Sequence, residues 1–131
     1  MIKIDITPMG AVRMTQRGKW VNTSAIRYMN YKKEVGYRLR EQCQTPVKGA
    51  VRLDVTFYMP MPDSWPRKRK SAYAGLPVTV RNGDIDNLVK GLMDSANGIV
   101  YADDCQVTDV TMRKRYAYQG SIELTVEQVA I

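Results

Sequence analysis

Asn82 to Val107 reads N-G-D-I-D-N-L-V-K-G-L-M-D-S-A-N-G-I-V-Y-A-D-D-C-Q-V and gathers acid into an otherwise basic chain. With Ile85 as the first helical residue and about 100° of turn per residue, Leu88, Val89, Leu92, Met93 and Ala96 share one arc. That arc is expected to face a core. Asp86 and Lys90 then stand one turn apart on its flank, with Asp94 a further turn along, and Asp84 takes the N-cap position. Asn97-Gly98 is the expected stop, since glycine ends helices in the left-handed conformation at little steric cost. A helix of a dozen residues advances roughly 18 Å, and Ile99 to Asp104, if extended, covers about 20 Å. The chain can therefore retrace the helix and bring Asp103-Asp104 back towards Asp84 and Asp86, beside Lys90. Carboxylates gathered in this way repel one another unless a cation sits among them, and hard divalent ions such as Mg²⁺ or Mn²⁺ prefer oxygen ligands. A plainer account uses the same residues: Asp84 as a helix cap, Asp86 and Lys90 as an exposed ion pair, Asp103-Asp104 as a turn.

The 131 residues, 44% of them apolar, suffice for one domain spanning 1–131 with a proper core. No run approaches a membrane span and no signal peptide is apparent in Met1 to Gly10, so a soluble, cytoplasmic protein with no membrane partner is expected. Cys43 and Cys105 lack metal-type spacing and read as reduced thiols in or near the core. Histidine is absent, which leaves acid-base work to carboxylates, lysine, tyrosine or water on a metal. A net charge of +7 favours a polyanionic partner, nucleic acid above all, although a soluble basic protein without such a ligand has the same composition.

Ile2, Ile4 and Ile6 alternate with polar residues, which predicts a strand over Met1 to Thr7. Pro8 to Asn22 reads as a loop. Its Arg13, Arg17 and Lys19, with Trp20, form either a DNA-contacting arm or an ordinary exposed loop. Thr23-Ser24 caps a helix running to about Gln44, in which Tyr28, Tyr31, Val35, Leu39 and Cys43 recur at helical spacing. Arg27, Lys32, Lys33, Arg38 and Arg40 occupy its other faces. Val51 to Met59 alternates most clearly of all and ends at Pro60 and Pro62. A short helix is expected to carry Arg67-Lys68-Arg69-Lys70, either as a phosphate-binding patch or as a merely solvated face. Val107 to Tyr118 and Ile122 to Val126, joined by Gln119-Gly120-Ser121, predict a terminal hairpin, with Arg113, Lys114 and Arg115 adding to the positive surface.

This order of elements argues for an α+β domain with a mixed, largely antiparallel sheet of about four strands and two main helices. The segments D-I-D-N-L-V-K and D-S-A-N-G-I-V-Y-A-D-D-C-Q-V closely resemble the central motif of the RusA family of Holliday junction resolvases, over about a fifth of the chain. Carried over residue by residue, the resemblance implies that Asp84, Asp86, Lys90 and Asp104 are catalytic. It implies Mg²⁺ or Mn²⁺ at Asp84, Asp86 and Asp104, with Asp103 as a neighbour. It further implies a RusA-like fold, a homodimer, and nicking of four-way DNA junctions to leave a 5′-phosphate and a 3′-hydroxyl. One departure is visible: members often carry Lys-Pro before the D-x-D, where this chain has Asn82-Gly83. Two rivals stay open, a non-catalytic basic nucleic-acid-binding module and a nuclease for other branched DNA.

Overall fold

The period-two pattern of Val51–Pro60 sends Val51, Leu53, Val55, Phe57 and Met59 to one side, and all five are buried. A computed structural model describes residues 1–12, 23–80 and 83–130. Among these residues the order is β1 (Ile2–Ile4), α1 (Thr23–Gln42), β2 (Val51–Pro60), α2 (Arg67–Tyr73), α3 (Ile85–Ala96), a 3-10 turn (Asp104–Gln106), β3 (Val107–Ala117) and β4 (Ser121–Gln128). The described strands form one four-stranded sheet in the order β1-β4-β2-β3. The β1/β4 and β4/β2 pairs are antiparallel, and β2/β3 is parallel. This is the expected α+β class with a mixed, mostly antiparallel sheet.

The helices cover one face of that sheet. Tyr28, Tyr31, Val35 and Leu39 of α1 and Leu88, Val89, Leu92 and Ala96 of α3 join Leu53, Val55, Phe57, Ile122 and Leu124 in one apolar cluster. The sequence-based bounds of α3 hold to the residue: Asp84 is the N-cap, Asn97 the C-cap, and Gly98 follows with φ of 77°. The other face is laced by charge. Arg113 meets Asp54 through two hydrogen bonds of 2.9 and 3.1 Å and also reaches Thr56, while Arg52 lies 3.7 Å from Asp109 and 3.6 Å from Glu127.

The expected terminal hairpin does not form, because β2 lies between β3 and β4. Tyr58 has Arg115 opposite it on β3 and Ser121 opposite it on β4. The physical reason is the inward-facing row of each strand. β4 turns Ile122, Leu124 and Val126 towards the helices and belongs beside β2, whereas the matching row of β3 includes Lys114 and suits an edge. Pro60 and Pro62 stop β2, so Tyr118 to Gly120 can pass its end, a step of roughly two strand spacings or 10 Å. β1 is also shorter than the alternation predicts, with a turn from the Ile6 amide to the Ile4 carbonyl at 3.0 Å. Cys105 is exposed rather than near the core.

Leu88 has no exposed surface and touches the centre of the cluster. Leu88→Ala is expected to lower unfolding free energy by about 2–5 kcal/mol in urea denaturation without changing the slope of the transition.

Candidate active site

The chain enters α3 through Gly83, whose φ of 98° is open to glycine and closed to proline, which is held near −65°. Proline could not take the backbone conformation that Gly83 has on this path. Lys114 on the edge strand fastens that path, its Nζ donating to the Gly83 carbonyl at 3.1 Å. Asp84 then caps by position only. Its carbonyl accepts from the Leu88 amide at 3.0 Å, but its carboxylate forms no capping hydrogen bond, and both Asp84 and Asp86 are exposed. Asp86, Lys90 and Asp94 follow at four-residue steps down one flank. Among the described residues Asp86 and Lys90 do not form an ion pair, so of the plainer account of this helix only the cap position of Asp84 is realised.

After Gly98 the chain doubles back. The Ile99 and Val100 amides both donate to the Ala96 carbonyl at 3.0 Å, and the Gly98 amide donates to the Tyr101 carbonyl at 2.8 Å. Tyr101 is completely enclosed, and its hydroxyl donates to the Met93 carbonyl at 2.9 Å. The return strand is thereby laid against α3.

The 3-10 turn that follows separates the two neighbouring acids by role. Asp103 is the structural one, accepting from the Cys105 amide at 3.3 Å in a capping box whose other half is Gln106. The Gln106 carbonyl oxygen accepts from the Ala102 and Asp103 amides at 2.9 and 3.0 Å, and its amide nitrogen donates to Val47 and Gly49 at 3.0 and 2.9 Å. One side chain therefore clips the turn to the segment leading into β2. Asp104 is left for other work.

Charge ties Asp104 to the middle of α3. Its hydrogen-bonded neighbour Asp103 holds the Asp104 carboxyl above the usual carboxylate range, desolvation and Asp94 add to this, and Lys90 opposes it. The same hydrogen bond, with the Cys105 amide, holds Asp103 below that range. Asp94 in turn accepts from the Tyr28 hydroxyl at 3.2 Å. Desolvation first, and nearby carboxylates second, raise the phenols of Tyr28 and Tyr101 above their ordinary value. Lys90 and Asp94 line an open cleft of about 580 Å³ with Tyr28, Lys32, Asn87 and the Ala11-Val12 backbone segment.

The expected acids thus fall into two pairs, Asp84 with Asp86 on the first turn of α3 and Asp103 with Asp104 on the 3-10 turn. Lys90 acts on the second pair. Their oxygens suit Mg²⁺ or Mn²⁺ by chemistry. The full convergence predicted from chain lengths is not reached, for among the described residues no group of three or more Asp, Glu, Cys or His stands close enough to hold a metal ion. Two residues that sequence reasoning left out belong to this neighbourhood. Asp94 was placed on the flank without a role, and Gln106 carried a legible signal, the D-x-x-Q spacing of a capping box from Asp103.

The basic candidates divide as well. Arg67 and Lys68 are exposed on α2 and Lys70 half-exposed, but Arg69 stacks 4.0 Å from the Trp65 ring centre and 5.6 Å from that of Tyr73. Arg69 therefore anchors α2 to an aromatic cluster completed by Tyr116. Arg13, Arg17 and Lys19 lie outside the described residues.

Gln106→Ala is expected to lower unfolding free energy by about 1–3 kcal/mol, since four backbone groups lose their partner together. Gln106→Glu should recover little of that in urea denaturation, because a carboxylate accepts from both amides but cannot donate to either carbonyl. Raised phenol values favour the protonated, folded chain, so this stabilisation is whole below the unfolded value of 10.0 and is lost as pH rises above it. Urea midpoints measured across that range should fall with pH, and less steeply in Tyr101→Phe.

The sequence of the family described as endodeoxyribonuclease RusA matches residues 4–127. A Bacillus subtilis (strain 168) protein named YqaN, itself uncharacterized, is 36% identical over 90 residues, which cover 66% of this chain and 63% of that protein. The chain thus spans somewhat less than two thirds of that relative's length. A match running from β1 into β4, over the motif-bearing helix α3 and the 3-10 turn that follows it, places this chain in the RusA endodeoxyribonuclease family.

Proposed function

We propose that the protein is a metal-dependent, structure-selective endodeoxyribonuclease that resolves four-way DNA junctions by paired hydrolysis of phosphodiesters, working as a homodimer. The observation that carries this reading is the family match over 4–127; the resemblance of D-I-D-N-L-V-K and Y-A-D-D-C-Q-V to the family's central motif supports Asp84, Asp86, Lys90 and Asp104 as the residues that act. Asp84, Asp86 and Asp104 would hold Mg²⁺ or Mn²⁺, with Asp103 beside them. A divalent ion in such a site supplies Lewis-acid stabilisation of phosphate and eases deprotonation of water.

The remaining roles fall to the chain itself. Lys90, on the flank of α3, offsets negative charge that builds on the phosphate or the leaving oxygen. Asp103 and Gln106 orient Asp104 by fixing the turn that bears it. Asp94, bonded to Tyr28, acts on Asp104 by charge and keeps Lys90 in a polar setting. The exposed cations of α2 attract the DNA backbone. Two-fold symmetry suits a four-way junction, where opposed strands are cut in related positions.

A second reading has one observation in its favour. A basic DNA-binding module with purely structural acids agrees with the lack, among the described residues, of a closed three-carboxylate group. Nicking assays separate the two. In Mg²⁺ the protein is expected to cut a mobile four-way junction in preference to linear, flap and fork DNA, and a chelator should abolish cutting while binding continues. Asp86→Asn should lose cleavage by at least about a hundredfold, the upper end of what disturbing a metal ligand's support costs, and bind the junction as well as before or more tightly. Metal-independent binding with no nicking of any branched DNA would establish the binding module instead.

A further inference from the structure

Beside Asp94 and Ser95 of α3 lies a groove to which the nuclease reading gives no work. It runs between α1 and α3, holds about 380 Å³, and has Lys33, Tyr37 and Arg40 along one wall, with Gly36 and Ile99 at the crossing. Gly36 is what allows the crossing: a Cβ there would stand 3.4 Å from the Ile99 Cδ1 and 3.7 Å from the Ser95 carbonyl. Lys33, Tyr37 and Arg40 recur at i, i+4 and i+7, so they form a single stripe on α1.

Charge in the groove is uncompensated on that wall. Among the described residues Lys32, Lys33 and Arg40 form no ion pair, whereas Arg38, on the adjoining flank, is taken by Glu34 at 3.0 Å. Tyr37 is 61% exposed, an open aromatic ring set between two cations. The single acid in the lining, Asp94, already accepts from Tyr28. Lys32 and Asp94 also line the cleft that holds Lys90, so the groove continues into that cleft.

We infer that this groove seats the backbone of the DNA strand to be cut, on one side of the scissile phosphate, with Lys33 and Arg40 on successive phosphates and an unpaired base stacked on Tyr37. The inference rests on the nuclease reading for the word "cut" and on the groove's own charge and shape for the rest. A strand is favoured over a duplex because an exposed aromatic face takes a base only when that base is unstacked from its neighbours. Lys32, half-buried with its Nζ 4.8 Å from the Tyr28 ring centre, then leads the backbone from Arg40 and Lys33 towards Lys90.

The test uses the full chain, with binding measured in a chelator and nicking measured separately in Mg²⁺. Wild type, Lys33→Ala/Arg40→Ala and Tyr37→Leu are titrated with an oligothymidine strand and with a four-way junction between about 50 and 200 mM salt. These side chains are exposed, and circular dichroism checks that the variants fold. For the single strand the double variant should lose about 0.7 per phosphate contact from the slope of log affinity against log salt, and so about 1.4 in all. Tyr37→Leu should bind the strand about tenfold more weakly with its slope unchanged. Wild-type slope and affinity in both variants, with wild-type nicking present, overturn the groove and leave the nuclease reading standing. Loss confined to the junction's duplex arms, with the single strand unaffected, overturns it equally. A wild type that never nicks but shows the expected losses keeps the groove as a strand-binding site and removes the nuclease reading.

Discussion

Tyr101 decides where the acids go. Its ring is fully enclosed, and its hydroxyl reaches the Met93 carbonyl one turn before the end of α3, so the chain leaving the helix must turn back along it. A segment that simply continued past Gly98 would leave Asp103 and Asp104 remote from every other charge in the motif. Enclosing a tyrosine is favourable only when its hydroxyl is satisfied, and a main-chain carbonyl in the last turns of a helix, whose later carbonyls lack helical partners, is well placed to do so. The fold-back is therefore held by burial and directed by one hydrogen bond. The Val47 amide, donating to the Val100 carbonyl at 2.7 Å, and the Gln106 side chain fix the same stretch from the opposite direction.

Within that frame the two halves of the D-D pair have unlike duties because only one of them closes the turn. Asp103 accepts a main-chain amide, which favours its ionised form. Asp104 faces that ionised neighbour and Asp94, which favours its protonated form, and Lys90 is the counterweight. Neighbouring carboxyls whose environments push them apart are a recurrent feature of catalytic acids. Here the asymmetry comes from a hydrogen-bonding pattern that any D-D-x-Q sequence can adopt, and this is why Gln106 matters to a site it does not itself enter.

How far the sequence was legible follows from how local each cause is. The limits of α3 could be read to the residue because a cap, a run of apolar positions and a glycine stop all lie within it. The sheet class was legible from alternation, but strand neighbours were not. Val107–Ala117 and Ser121–Gln128 look like a hairpin, and only competition for the place beside β2, decided by Lys114 against Ile122 and Leu124, puts one at the edge and the other inside. Chain length allowed Asp104 to reach the helix start, yet the reach is set by the enclosure of Tyr101, which sequence does not reveal. Asp94 was visible on the flank and stayed without a role, since its partner Tyr28 lies 66 residues away. Arg69 and Arg113 counted as surface charge by composition, but one is stacked on Trp65 and the other bonded to Asp54.

The pairing of Arg113, together with that of Arg52, bears on how a chain of net charge +7 distributes its field. On the face of the sheet away from the helices, Arg52 and Arg113 are matched by Asp54, Asp109 and Glu127, so positive charge there is largely cancelled at short range. Exposed pairs of this sort add little stability, but they remove a field that would draw phosphate to the wrong side. On the helical side the balance is reversed. Lys32, Lys33, Arg40 and Lys90 face the same clefts as Asp94, and among the described residues Arg38 alone of the α1 cations is in an ion pair. On the proposed reading, the pairing pattern of the sheet would turn an approaching polyanion towards the helices. Its charge would then be met by lysine and arginine before it reached the acids of the motif, the order in which carboxylates can be brought against a phosphate without repelling it first.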